Sequence, residues 1–542
     1  MKKIKSVLLV IGLSISSLSF SQSLNEGPES PVVKGVGYQK LIGSDNTGFY
    51  VLKQSSIGKG LHILIEKFNN DNFKQIFSKE TKVAEIQESM NFPAVTQIQT
   101  FLSPEKVFVF FESHNPKTDR INFFLQTVST KGDLSEVYEI SSSYFKAKNA
   151  ALELMGSTYF KMCFSPDGKY FATVDLLETD KPVKNAPKSD KWLCKIYDAT
   201  TFKKVADRSI PLTDQGTDIY CENFTIDNNQ NLFFSVKYAS GKKNSIGGFA
   251  IGLIESTSPT AKLFPITLSE TKIFHDFAFK SLNNGDLLIT GLVSDTLAKD
   301  VKSGVLQASY FVKRVSGNSL ETKYEKMNDF LVETKMQLGE AVRATTFKNT
   351  EIIEMNDEVY ITTQRTEIKY SPSKSDVISF MNAQTTNKEI IVTKIDSDGN
   401  LLWTKLIPKF HVGGLLISFA PKPPRYSGNY KMFVVGNKLN FVFLDSPENQ
   451  DLTPENYTPD KCKPIHANAW GSESVVAKDK SVAVCVSIDN TGKSSKKIFL
   501  ENVEDGVNYI ALGRTVMVSP KKLLLFLENR KSKIERFATL NF

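Results

Sequence analysis

The sequence predicts an all-β chain, an eight-bladed β-propeller of four-stranded antiparallel blades. Two observations carry that reading. A tight turn followed at once by an apolar strand occurs eight times, at intervals of 56 to 83 residues. Most of these intervals contain a second hairpin turn as well. Two hairpin turns imply four strands per module, and such modules repeated eight times close into a ring.

In chain order, Asp45-Asn46-Thr47-Gly48 leads into residues 49–52 and Ser103-Pro104-Glu105-Lys106 into 107–110. The third and clearest unit is Phe164-Ser165-Pro166-Asp167-Gly168-Lys169, where proline presets φ and glycine accepts a positive φ. Asp227–Gln230, Asn283–Asp286, Asn356-Asp357, Gly436–Lys438 and Ser519–Lys521 begin the other five. Second turns fall at Gly132, Ala199, Gly317, Gly399 and Thr491, with weaker ones near Asn70 and Thr257. The last module is short: after Pro520 only strands at 522–528 and 534–540 remain. An open ring would leave bare sheet edges, so a segment at about 24–34 is expected to supply the missing fourth strand.

Residues 1–21 read as a signal peptide. Lys2, Lys3 and Lys5 precede a short apolar run to Leu18, and Ser19 and Ser21 are small residues ahead of a cut before Gln22. The run is too short for a membrane span, and no cysteine precedes Cys163, so no lipid anchor is expected. Residues 22–542 then form a single propeller domain, exported to the periplasm. The formal charge of the 542-residue chain is +8, three of the lysines lying in the leader. With no basic–aromatic stripe, nucleic acid is excluded as a partner. Later apolar segments are too short to span a membrane. Five cysteines do not make a disulfide scaffold, although a Cys462–Cys485 bridge is possible.

Three segments break the module, at about 324–346, 410–430 and 445–470. The first has Met327, Phe330, Leu331, Leu338 and Val342 at helical spacing, which predicts a short inserted helix. The second is glycine- and then proline-rich, and the third is polar with four prolines. Long connections in compact domains are usually functional or disordered.

The Phe-Ser-Pro-Asp-Gly-Lys unit resembles the repeat of the WD40-like periplasmic propellers. Asp396-Ser397-Asp398-Gly399-Asn400-Leu401-Leu402-Trp403 resembles the blade-docking motif of the quinoprotein-dehydrogenase-like propellers, which also have eight blades. At Asp489–Lys493 the same motif has Lys496 where tryptophan would stand, and the chain holds only three tryptophans. Both resemblances imply fold and say nothing of activity.

Motifs for chemistry are missing from the sequence. It has no Cys-Cys pair, Cys-x-x-Cys-His or Gly-x-Ser-x-Gly. His62, His114, His275, His411 and His466 are widely separated, unlike the close pairs of zinc sites. Asp396–Asn400 has the alternating acids of a calcium loop but its glycine at the wrong position, and reads as a hairpin turn. No catalytic residue, metal or cofactor is therefore expected. The expected function is a protein-binding scaffold of a cell-envelope complex. The Lys-led leader and the Lys-, Phe- and Asn-rich body resemble exports of gliding-type Gram-negative bacteria, which makes the type IX translocon the specific candidate. The partner surface is expected at Phe410, Leu415, Leu416, Phe419, Tyr426, Tyr457 and Trp470, unless segment 410–430 instead covers a blade edge. The alternative is a propeller enzyme or carbohydrate-binding protein working at the channel mouth, for which converging unpaired acids would be the sign.

Overall fold

The computed structural model describes residues 23–32, 36–55, 62–90, 95–115, 117–145, 159–177, 191–214, 216–239, 246–268, 272–295, 308–317, 319–331, 334, 337–338, 347–356, 358–372, 381–417, 430–470, 474–477, 480–503, 509–510, 515–529 and 532–542. They form eight antiparallel blades in a propeller. The inner strands of blades one to eight are Val36–Ser44, Val95–Leu102, Phe160–Phe164, Thr217–Ile226, Lys272–Ser281, Phe347–Met355, Tyr430–Val435 and Val516–Ser519. Inner strands of several neighbouring blades touch, the first meeting both the second and the eighth, which places them around the axis. All eight predicted turns join an inner strand to the second strand of its blade.

Each blade packs a neighbour against both of its faces, so its middle strands must be apolar on both sides. That is why Val107–Phe111 is an unbroken apolar run and is wholly buried. Outer strands have one side in water; Gln75–Glu80 and Thr322–Asp329 are mostly exposed.

The ring closes as expected. Ser23–Glu26 pairs antiparallel with Ile534–Asn541, and Ser30–Pro31 continues along the same strand. Arg536 holds this closing segment through Glu26 at 2.9 Å and Glu29 at 2.8 Å. Ser44 Oγ donates to the Met517 carbonyl at 3.1 Å, joining the first and last inner strands.

Blade docking repeats a theme with different residues. Trp403, on the outer strand of blade 6, lies over Gly492 in the third-to-outer turn of blade 7 and donates Nε1–H to the Asn490 carbonyl at 3.3 Å. Tyr324 covers Gly399 one blade earlier, and Phe77 covers Gly132 between blades 1 and 2. These glycines have φ of +85°, +84° and +93°, so only glycine suits both the backbone and the ring above it. A lysine reinforces two of these junctions. Lys67 binds Asp45 at 2.8 Å and the Thr130 carbonyl at 3.2 Å. Lys394 likewise binds Glu358 at 2.6 Å and the Asn490 carbonyl at 3.0 Å. Tyrosine and phenylalanine fill at two junctions the role that Trp403 fills at a third.

Several expectations are corrected. Residues 324–329 belong to the outer strand of blade 5, paired with Ser309–Arg314. Helical conformation is confined to 334, 337 and 338 of that segment's described residues. The periodicity misled because Met327 is an exposed strand residue, whereas Phe330 and Leu338 are buried. A helix the sequence reading missed, Val83–Met90, links blades 1 and 2. All five cysteines are free thiols, so the Cys462–Cys485 bridge is not formed. Asp396 to Asn400 is a hairpin turn, its Oδ1 accepting from the amides of Asp398 and Asn400. Residues 1–21, expected to be a leader, lie outside the described residues. None of the described helices is long and apolar enough to cross a membrane.

Candidate functional site

Up-and-down blades put inner-to-second and third-to-outer turns on one face of the ring and all other connections on the opposite face. The first face is built of links of two to eight residues. The second carries every long connection, and blades 6 and 7 elaborate it most.

The second and third strands of blade 6, Glu358–Pro372 and Met381–Ile395, are fifteen residues each. Their lower halves are propeller; beyond the register shift between Gln364 and Thr366 they continue as a hairpin paired from Thr366↔Asn387 to Pro372↔Met381. His411–Ile417 pairs along Met381–Asn387, Ile465 and His466 lie parallel beside His411 and Val412, and Ile465–Trp470 pairs with Ser474–Ala477. Three separate connections thus assemble a five-stranded accessory sheet above blades 6 and 7.

Beneath it, residues 446–464 fold into a compact loop rather than a disordered one. Ser446 caps the short helical turn Pro447–Asn449. Asn449 donates to Asp445 at 2.7 Å and to the Lys463 carbonyl at 2.8 Å. Lys496, on the outer strand of blade 7, reaches in to Asp445 at 2.7 Å and to the Asn449 carbonyl at 2.6 Å. The lysine that stands where a docking tryptophan was sought therefore ties down this loop. Tyr457 is 2% exposed and donates its hydroxyl to Glu389 at 2.9 Å, while Arg365 meets the other Glu389 oxygen at 2.7 Å. Burial, with Glu389 next, pushes the Tyr457 hydroxyl up. Burial also pushes the Asp445 carboxyl up, against the pull of Lys496.

Five of the seven residues expected from sequence come to this unit. The Phe410 carbonyl accepts from Ile465 N at 2.9 Å, and the Lys388 ammonium lies 5.7 Å from its ring. Leu415 pairs with Ala383, Leu416 with Asn382 and Trp470 with Ser474. Tyr457 faces Glu389 rather than solvent. Phe419 and Tyr426 lie outside the described residues. Sequence reasoning missed Arg365, Glu389, Lys409, Asp445, Asn449 and Lys496; Glu389 and Lys496 have partners 68 and 51 residues away, and only the residue types gave any signal.

At one level of the register the inner strands are mostly polar. Inner-strand residues facing the fourth residue of each apolar second strand are Lys40, Gln99, Lys161, Glu222, Ala278, Glu351 and Lys431 for blades one to seven. Glu222 is paired with Lys237 at 2.7 Å. Desolvation raises the Glu351 carboxyl, opposed by Lys431 and Lys280. Among the described residues no group of acids and histidines is placed to hold a metal.

The architecture defines the class of protein, a β-propeller. No family model and no curated protein matches the chain. Among solved structures it is similar to the β-propeller domain of the Trilobed protease from Pyrococcus furiosus, at 9% identity and TM-score 0.34 over 76% of this chain and 89% of that one. It is also similar to the polysaccharide lyase Uly1, at 8% identity and TM-score 0.38 over 95% and 99%. A third similarity is to a post-proline cleaving enzyme from Rickettsia typhi, at 9% and 0.38 over 91% of this chain and 58% of that one.

Proposed function

We propose that this chain is an exported, non-catalytic propeller that binds other proteins of the cell envelope through its accessory sheet. The observation that supports this is the sheet itself. Three connections that could have been tight turns are lengthened and braced together, on one face, by a buried polar network. Most of the residues picked out as partner-binding lie in or beside it. The proposed address is the periplasm, from the leader at residues 1–21, and the proposed partner is an outer-membrane machine, the type IX translocon first. Affinity purification from native membranes tests the reading. The full chain should retain envelope proteins, and a variant with 367–386 replaced by Asn-Gly should lose them while its ring still melts cooperatively. Equal recovery by both proteins would exclude the accessory sheet.

A second reading, a carbohydrate-binding protein or enzyme at the channel mouth, is supported by the polar residues Lys40, Lys161, Glu222, Glu351 and Lys431 at matching register on five inner strands. It requires that an oligosaccharide bind the purified protein and that Glu351→Gln weaken that binding. Calorimetry against neutral and uronic-acid oligosaccharides would decide it.

A further inference from the structure

Lys409 sits where the chain leaves the outer strand of blade 6 (Leu401–Ile407) and enters the accessory sheet at His411. Its side chain is 0% exposed, and its ammonium nitrogen has no hydrogen-bond partner among the described residues. No carboxylate among them is in ion-pair contact with it. The acid acting on it, Asp445, is already engaged by Lys496 at 2.7 Å. Cys462, from the loop above, is the other group in that field. His411, two residues on, gives one ring nitrogen to the Leu444 carbonyl at 2.6 Å, and its Nδ1 has no partner among the described residues. The remaining charges of the cluster, Glu389 and Arg365, satisfy each other and Tyr457. A lysine enclosed in this way favours the neutral amine, because a buried charge without a counter-charge is strongly destabilising.

The geometry points to a pH-sensitive latch: protonation of Lys409 loosens loop 446–464 from the root of the accessory sheet. This stands on the packing around Lys409 and does not require the scaffold reading to be right.

The sign follows from linkage. Burial brings the closed-state pKa of Lys409 down to about 7, while an open loop would return it to about 10.4. The open state therefore binds more protons between those values. Opening is favoured about tenfold for each unit the pH falls from about 10 to about 7, and levels off below that. The neighbours act elsewhere on the scale. Burial, with Lys409 next, holds His411 well below its usual range, so it adds to opening only below about 6.5. Burial pushes the Cys462 thiol up to about 12, so it favours opening only above about 8.5, where an exposed thiol ionises. Asp445, pushed up by burial, acts only in the acid range. The window from about 7 to about 8.5 belongs to Lys409.

Alkylation of Cys462 in the full chain, read by peptide mass spectrometry, reports the opening. Cys194, buried in blade 3 of the same molecules, reports global unfolding. Lys409→Met keeps the apolar stem and removes the amine, and its intrinsic thiol chemistry equals that of the parent. The ratio of parent to variant labelling at Cys462 should rise roughly fifteenfold in all from pH 8.5 down to 7, with Cys194 unchanged. Lys409→Gln serves as a second neutral variant if methionine disturbs folding, and should behave alike. A ratio that stays flat across this window in both variants overturns the latch, as does parallel labelling of Cys462 and Cys194.

Discussion

The two faces of the ring solve opposite problems. On the tight-turn face, Asp45, Asp198, Asp396 and Asp489 each fold back on amides two to four residues on, and glycines at positive φ receive aromatic rings from the next blade. Almost every constraint there is local or reaches one blade away. On the opposite face, long connections bury charge. Glu389 meets Tyr457 across 68 residues, and Lys496 meets Asp445 across 51. The first face makes the ring. The second carries material the ring does not need.

Ways to break this contrast can be ordered by effect. Deleting residues 24–36 should hurt most, because it bares the edge of Ile534–Asn541 and releases the closing strand. A loss of at least about 4 kcal/mol is expected, seen as a lower melting temperature and as association in sedimentation. An unchanged melt would mean that the ring does not need its closing strand.

Lys496→Ala comes next, because it leaves the Asp445 carboxylate buried and unpaired at a cost of about 3–5 kcal/mol. That loss should localise to the accessory unit, so limited proteolysis should cut within 446–464 well before blades 1 to 4. The double variant Lys496→Met with Asp445→Leu should recover most of it.

On the tight-turn face, Gly399→Ala should cost about 2–3 kcal/mol, since the added methyl meets the Tyr324 ring as well as the left-handed backbone. Gly168→Ala should cost only about 1 kcal/mol. Its φ is +69° but nothing lies within 4 Å of the new methyl. Chemical denaturation of the pair separates backbone strain from blade docking. The smallest change to the ring should come from trimming 367–386, less than about 1 kcal/mol if the accessory sheet is a separate cooperative unit.

Lys496 shows how far a sequence reading goes. Its position in the docking pattern was legible, and its difference from tryptophan was visible. That it turns inward to hold a loop was not, because Asp445 and Asn449 belong to another strand and its following connection. Tyr457 and Cys462 misled in a similar way. They occur in a polar, proline-rich stretch that reads as an exposed loop, yet both are buried, because the loop closes over blades 5 and 6. The helix expected near 324–346 was placed to begin too early, since 324–329 belong to a strand and the helical residues among those described are 334, 337 and 338. By contrast Phe410, Leu415, Leu416 and Trp470 were singled out because they lie in segments that break the module, Leu415 and Leu416 also as part of an apolar patch, and they come to one unit because the module-breaking segments of blades 6 and 7 leave on the same face.

The sequence by itself determined the blade count, the turns and the closing strand. These depend on contacts a few residues apart, on the φ that glycine and proline allow, and on the paired-edge requirement of a ring. Only the tertiary structure decided that three connections would pair into one sheet, and that Arg365, Glu389, Lys409, His411, Asp445 and Lys496 would share one buried cluster. Their meeting depends on how adjacent blades are placed, and spacing along the chain carries no record of it.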